Sequence, residues 1–295
     1  MQILGDIPIY VSADSVDAWV GGELFELDAQ GSFARVAGCP PDYFSADGQL
    51  WGNPLYNWPY HKQTGYIWWI RRVRHALGIY DLLRIDHFRG FDEYFSIPYG
   101  SETAAPGHWE KGPGIDLFRK VEQALGWKQV IAEDLGYVTD SVRQLVHDSG
   151  FPGMKVLEFA FDSRDSGCAN DYLPHNYPEN SVAYTGTHDN ETIAGWWKSI
   201  TVKERKLARD YLCDNWTPDK DLYKCFISLV MRSSAKLCVI PMQDYMGLDN
   251  SCRMNQPSTV GKNWKWRIRR RELTAKLQKE IHGIALRYGR MNWSD

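Results

Sequence analysis

The chain has 295 residues, with 34 Lys and Arg against 37 Asp and Glu and a formal net charge of −3 at neutral pH. That near-even balance argues against a nucleic acid or an anionic membrane as partner. No apolar stretch is long enough to span a bilayer, and the N-terminus lacks the shape of a signal peptide. The length suits one large domain or two small ones, with ample residues for a core. The six cysteines, at 39, 168, 213, 225, 238 and 252, form no Cys-x-x-Cys pair and show no metal-ligand spacing with a histidine. Reduced thiols in a cytoplasmic protein are the simplest reading, with no cofactor or metal implied.

In chain order, Ile3–Val11 reads as a buried strand carrying Asp6, a carboxylate that needs partners there. Ser12–Asp28 reads as a short helix and turn. The stretch from Cys39 to Tyr56, stiffened by Pro40-Pro41 and punctuated by Gly48 and Gly52-Asn53-Pro54, reads as one long loop. A loop that long in a compact domain is usually functional. Gly65–Leu77 is an amphipathic helix, with Tyr66, Trp69, Ile70, Val73 and Leu77 on one face and Gly78 in the C-cap position. A short apolar run, Leu82, Leu83 and Ile85, then stops in Asp86, His87 and Arg89. Asp92–Gly114 reads as a second long loop. A helix over Ile115–Leu125 follows, ending at Gly126. The run Val130–Ala132 leads into Glu133 and Asp134, and a helix opens near Thr139 and ends at Gly150. Gly153–Phe161 reads as a strand, and Val182–Tyr184 as another that leads into His188 and Asp189. Thr201 and Glu204 make a capping box for a helix to about Cys213. Leu222, Cys225, Phe226, Leu229 and Val230 mark a further helix. Leu237–Pro241 is the last strand, ending in Gln243-Asp244, and the basic stretch Arg267–Arg290 reads as a closing helix.

Apolar runs that each end in a carboxylate are how parallel barrel strands finish at a catalytic mouth. A surface ion pair would explain one such cluster, but Asp86, Glu133 and Asp189 repeat the pattern on separate runs. Strands alternating with helices give the βα rhythm of a parallel barrel. Aromatic residues make up 14% of the chain, and Tyr43, Phe44, Trp51, Tyr56, Trp58, Tyr60, Trp109 and Tyr177 sit in loop-like stretches. Most such rings are core. Those on loops beside carboxylates suit the flat C–H faces of sugars better than a nucleotide.

Several motifs carry a family resemblance. Arg84-Ile-Asp86-His-Phe-Arg-Gly, Ala132-Glu133-Asp134-Leu-Gly and Thr185-Gly-Thr-His188-Asp189-Asn-Glu resemble those of the 4-α-glucanotransferases, also called amylomaltases or disproportionating enzymes, relatives of the α-amylases. So do the loop from Cys39 to Tyr56, Gln243-Asp244, Arg253-Met-Asn-Gln-Pro257 and Asn263-Trp-Lys-Trp-Arg267. The match runs in register from about Ile3 to Arg267. It departs at Pro257-Ser258-Thr259, where the family often has glycine after the proline, and at Lys262. The resemblance implies a TIM-type (β/α)8 barrel, here about six βα units, the third to the eighth. The first two strands and the family's N-terminal segment are absent from the sequence, and 1–295 reads as a partial catalytic barrel with no second domain.

Retaining cleavage of an α-glycosidic bond uses two carboxyls about 5–5.5 Å apart. By the resemblance Asp86 is the nucleophile, Glu133 the acid/base, and Asp189 the stabiliser of the oxocarbenium-like state. Arg84 lies two residues before Asp86 on one strand, so its side chain points to the same side, and a neighbouring guanidinium keeps an aspartate ionised. Glu133 needs a raised pKa, which two anionic neighbours would supply. Arg84, His188, Asp6, Asp42, Tyr43, Phe44, Trp51 and Asn255 are the expected substrate-binding residues. The expected donor is a maltooligosaccharide, and the acceptor is glucose or another maltooligosaccharide. Tyr43, Phe44 and Trp51 would keep water from the covalent intermediate. An α-glucan hydrolase shares this machinery, and the loop from Cys39 to Tyr56 favours transfer. A metal-dependent hydrolase built on His87, Asp86, His188 and Asp189 lacks further histidines at helical spacing. An inactive or glucan-binding fragment is the non-enzymatic alternative, because two strands are missing.

Overall fold

The computed structural model describes residues 1–41, 47–136, 138–163, 171–257 and 259–291. Their contacts divide into two compact units, Met1–Gly153 and Met154–Asp295.

In the first unit β1 (Leu4–Pro8) is followed by the short helix α1 (Val16–Val20), capped by the Ser15 side chain. Next come β2 (Arg35–Cys39), β3 (Gln49–Pro54), α2 (Trp58–Gln63) and α3 (Ile67–Leu77). Then β4 (Leu82–Asp86), β5 (Glu93–Pro98), β6 (His108–Lys111) and α4 (Ile115–Leu125) follow. The unit closes with β7 (Val130–Ala132), α5 (Asp140–Ser149) and the first residue of β8 (Gly153–Val156).

β1, β4 and β7 are parallel and adjacent, with Asp6 opposite Arg84 and Ile85 opposite Ala132. Ala132 in turn pairs with Gly153. Leu83, Ile85, Val130 and Ile131 are fully buried, which explains why these strands read as continuous apolar runs. Behind them the face of α3 buries Trp69, Ile70, Val73 and Ala76. Phe88, Phe91, Phe118 and Phe151 pack together, mostly edge to face, at centroid separations of 4.9–6.0 Å. Buried aromatic contacts of this kind each add roughly 0.5–1.5 kcal/mol beyond their area.

A second sheet in this unit corrects the loop assignments. β3, β2, β5 and β6 form a four-stranded antiparallel sheet in that order. The stretches taken as loops, Cys39–Tyr56 and Asp92–Gly114, thus supply β3, β5 and β6. In β5, Tyr94, Phe95, Ser96 and Ile97 are all buried, so no alternation marks it as a strand. Between β2 and β3 the register shifts, with Val36 opposite Pro54 and Gly38 opposite Leu50. The extra β3 residues bulge out at Trp51, Gly52 and Asn53. Gly52 takes φ +76°, which a glycine tolerates, and the Asn53 amide donates to the Val11 carbonyl at 2.8 Å.

The rest of β8 opens the second unit, and it gives way after Val156 to a 3-10 turn, Leu157–Phe159, so the strand is shorter than the sequence suggests. The unit continues with β9 (Ser181–Tyr184), α6 (Ile193–Ser199), α7 (Val202–Leu212) and α8 (Tyr223–Met231). It ends with β10 (Leu237–Val239), α9 (Met242–Tyr245) and α10 (Ala275–Arg287). β9 and β10 are parallel neighbours. The predicted capping box of Thr201 and Glu204 opens α7. Phe161, Trp196, Trp197 and Phe226 form its aromatic core. The closing helix is shorter than expected, and past its end Arg290 donates to the carbonyls of Met231, the last residue of α8, and of Ser233 and Ala235 beyond it. No helix of the described residues is long and apolar enough to cross a membrane.

Candidate active site

In the first unit the site is built on three adjacent parallel strands, β1, β4 and β7. Asp6 sits mid-strand in β1, and Arg84, in β4, is its register partner. One Arg84 nitrogen, Nη1, donates to both Asp6 oxygens at 2.8 Å, and Nη2 meets Asp86 Oδ1 at 2.9 Å. Asp86 is the last residue of β4. Arg84 is therefore a clamp between two carboxylates, itself 9% exposed at the side chain, while Asp6 and Asp86 stay 41% and 45% exposed. A planar guanidinium fits this two-sided role where an ammonium would not.

Glu133 follows β7 directly, and backbone N–H groups fix its orientation. Leu135 N donates to Oε1 at 2.8 Å, and His87 N donates to Oε2 at 2.7 Å. His87 reaches that position in a left-handed backbone conformation, φ +51°. Burial and the negative charge of Asp86 raise the Glu133 carboxyl from 4.5 to about 7, against the lowering effects of Arg84 and the two N–H donors. The two carboxylates thus stand in unlike settings: Asp86 is tied to a cation, and Glu133 is enclosed and inclined to hold a proton.

The half-buried His87 ring, its Nε2 enclosed, is held neutral, its pKa lowered to about 3 by desolvation and then by the Arg89 charge. Its ring lies 4.8 Å from that of Trp51, edge to face. Trp51 itself is 37% exposed on the β3 bulge. Asp42, Tyr43 and Phe44 lie outside the described residues.

In the second unit the loop after β9 carries His188 and Asp189. The Asp189 carboxylate accepts from the Asn255 side-chain amide and lies 3.2 Å from His188 Nε2. Arg253 donates to the carbonyls of Asp189 and Asn255, and Asn255 N donates to the His188 carbonyl at 3.0 Å. The two segments are thereby laced together through main chain and side chain. The Trp264 ring lies 5.1 Å from His188. Asp244, fully buried, accepts from the Thr185 hydroxyl and from Ile193 N, closing the base of this loop. Burial lifts its carboxyl to about 6.

The structure thus groups Asp6, Arg84, Asp86 and Glu133, with Trp51 against His87, in the first unit. It groups His188, Asp189 and Asn255 in the second. Sequence reasoning missed His87 as the donor to Glu133, Arg253 as the tie between loops, and the buried Glu158 beneath the His188–Asp189 loop. His87 and Arg253 both stand in motifs singled out in the sequence, but neither contact follows from the motif, and Glu158 had no signal. Among the described residues no group of three or more His, Cys, Asp or Glu side chains is placed to hold a metal.

A family model described as 4-alpha-glucanotransferase matches residues 1–274. The chain belongs to the 4-alpha-glucanotransferase family. The curated 4-alpha-glucanotransferase of Streptococcus pneumoniae is 46% identical over 296 residues, covering 99% of this chain and 57% of the relative. That of Thermus thermophilus is 45% identical, covering 97% of this chain and 57% of the relative. The chloroplastic/amyloplastic 4-alpha-glucanotransferase of Solanum tuberosum is 42% identical over 99% of the chain and 50% of its own length. The structure is similar to an amylomaltase from Streptococcus agalactiae solved in complex with acarbose, with TM-score 0.93 and 43% identity over 99% of this chain and 58% of that one. The chain therefore spans between half and three-fifths of the length of these 4-alpha-glucanotransferases.

Proposed function

We propose that this chain carries the catalytic carboxylates of a 4-α-glucanotransferase, which moves α-1,4-glucan segments from a maltooligosaccharide donor to glucose or another maltooligosaccharide. Asp86 attacks the anomeric carbon, and Glu133 protonates the leaving oxygen. The glycosyl ester on Asp86 is then opened by an acceptor hydroxyl, with Glu133 taking its proton, so that two inversions give retention. Asp189, with His188, holds hydroxyls of the distorted sugar. Asp6, Asp42, Arg84 and Asn255 act as substrate-binding groups, and Tyr43, Phe44 and Trp51 bind substrate and keep water from the covalent intermediate. In this reading the six parallel strands are the third to eighth of a (β/α)8 barrel, and 1–295 is one partial catalytic domain in a cytoplasmic enzyme that needs no cofactor.

The observation that carries the reading is the unlike pair at the ends of β4 and β7. One carboxylate is ion-paired, and its neighbour is raised to about 7, which is how a nucleophile and an acid/base divide their roles. The acarbose complex of the similar amylomaltase supports a glucan-like ligand. The test is redistribution of maltotriose by the full-length chain. Asp86→Asn should lower transfer by at least about 10³-fold with the fold intact, while Glu133→Gln should lose transfer from maltotriose yet still react with donors whose leaving group needs no proton. An Asp86→Asn chain that keeps most of its transfer activity sinks the nucleophile assignment.

A further inference from the structure

One motif that carries the family resemblance, Asn263-Trp-Lys-Trp-Arg267, has no part in the chemistry above. Its second residue is a backbone outlier. Trp264 has φ +61°, in the left-handed region that a bulky side chain rarely adopts. Tyr66 has a similar conformation, φ +56°, but its ring is buried in the core, and close packing can hold such a strain. The Trp264 residue is 51% exposed, so burial does not explain it.

Hydrogen bonds on either side hold it instead. Trp264 N donates to the Met254 carbonyl at 2.7 Å, and Arg267 Nη1 donates to the Trp264 carbonyl at 2.8 Å. The side chain of Asn263 fastens the residue before it. Its Oδ1 accepts from Gln256 N at 3.1 Å, and its Nδ2 donates to the carbonyls of Thr259 at 2.9 Å and Gln256 at 3.3 Å. Both ends of that amide are therefore committed to the loop that carries the tryptophan. The indole is left partly open to water beside His188, with ring centroids 5.1 Å apart and planes tilted by 41°. His188 Nε2 lies 3.2 Å from the Asp189 carboxylate, and Asn255, next to Met254, donates to that same carboxylate. A flat apolar face is thus fixed against a group of hydrogen-bonding side chains.

Resting on the glucanotransferase reading, we propose that Trp264 is a substrate-binding residue, its exposed indole being the surface on which a glucose unit of the maltooligosaccharide lies while His188 and Asp189 hold sugar hydroxyls. A glucose ring is apolar on its C–H faces and polar around its rim. An indole plane beside polar groups matches both. The ring sits on backbone already fixed by five hydrogen bonds, so little further freedom is lost when the sugar lands. The strained φ is kept where the ring serves a ligand rather than the core.

A ring that only braced His188 would act on the turnover of bound substrate, whereas a ring that touches the sugar acts on binding. The test is titration calorimetry with maltotriose, together with maltotriose kinetics, on Trp264→Ala and Trp264→Phe in the full-length chain. Trp264→Ala should weaken maltotriose binding by about tenfold and raise KM by a similar factor, with kcat changed less than about threefold. Trp264→Phe, which keeps an aromatic face, should recover most of the affinity. Trp264→Gly suits the left-handed backbone and should bind as weakly as Trp264→Ala, so it serves if the alanine variant does not fold. Parent-like affinity in Trp264→Ala or Trp264→Gly overturns the proposal, as does a loss confined to kcat. A parent chain that binds maltotriose without redistributing it overturns the transferase reading alone, and the titrations still decide the role of Trp264. A parent chain that neither binds nor redistributes maltotriose overturns both.

Discussion

Glu133 shows how one residue's setting becomes a measurable property. Its carboxyl binds a proton more tightly in the folded chain, at about 7 against 4.5. It therefore contributes stability in full below pH of about 4.5, and that contribution is lost as pH rises through about 7. Glu133→Gln removes this dependence. The variant's stability relative to the parent should be higher at pH 8 than at pH 5, measured by urea unfolding midpoints at both. An equal difference at the two values would show that Glu133 ionises in the fold as it does in the unfolded chain. On the glucanotransferase reading proposed above, the same proton would set the alkaline limb of transfer, which should fall near pH 7 as the acid is lost. Arg84 acts on both neighbours. Arg84→Met strands two carboxylates beside Glu133, so the alkaline limb should move upward while transfer drops. The stability cost should be about 1–3 kcal/mol, below that of a fully buried pair because Asp6 and Asp86 are 41% and 45% exposed. A limb that does not move in Arg84→Met would mean the guanidinium has no electrostatic hold on Glu133.

Elements differed in how plainly they could be read. β4, β7 and β9 were legible because each is a short apolar run, buried on both faces, that stops in charge. The helix ends were legible from their caps at Gly78, Thr139, Gly150 and Thr201. The antiparallel sheet was not. β5 is buried on both sides, β6 is mostly exposed, and β3 bulges at Trp51–Asn53, so none alternates with period two. The carboxylates of the candidate site were legible where they end strands, as at Asp86 and Glu133. The site was illegible where main-chain donors and distant side chains complete it, as with His87 on Glu133 or Arg253 on Asp189, because such contacts depend on backbone direction. The sheet also gives an element-scale test. A Cβ at Gly38 in β2 would lie 2.1 Å from the Gln49 carbonyl oxygen and 2.5 Å from Ile97 Cδ1. Backbone cannot yield as a side chain does, so Gly38→Ala should push β3 off β2 and cost about 1–3 kcal/mol. The Trp51 fluorescence environment should change with it. A variant with parent-like midpoint and near-ultraviolet spectrum would show that β3 is not held in that register.

At the scale of the whole molecule, each unit carries a parallel strand with one partner among the described residues, β1 in the first, paired with β4, and β10 in the second, paired with β9. Unpaired edges are templates for association unless other chain covers them. Relatives in the family are longer, and in this chain's match to the Streptococcus pneumoniae protein 57% of the relative is covered. Residues 1–295 expressed alone should therefore show a mass that rises with concentration by light scattering, and little redistribution of maltotriose. A stable monomer with the activity of a full-length relative would show that both edges are already protected and that six parallel strands suffice.

The carboxylate of Asp244 has a consequence for the thermodynamics of ligand binding. Reaching back from α9, it grips the loop at Thr185 and again at Ile193, so the stretch bearing His188 and Asp189 is cinched at both ends. The disorder of that stretch is surrendered when the chain folds, so in the proposed glucan site no comparable loss would remain for the binding step. If the chain binds glucans as proposed, Asp244→Ala should shift part of that loss to the binding step, visible in calorimetry with maltotriose as a less favourable entropy of association, and an unchanged entropy would show that Asp244 does not order the stretch.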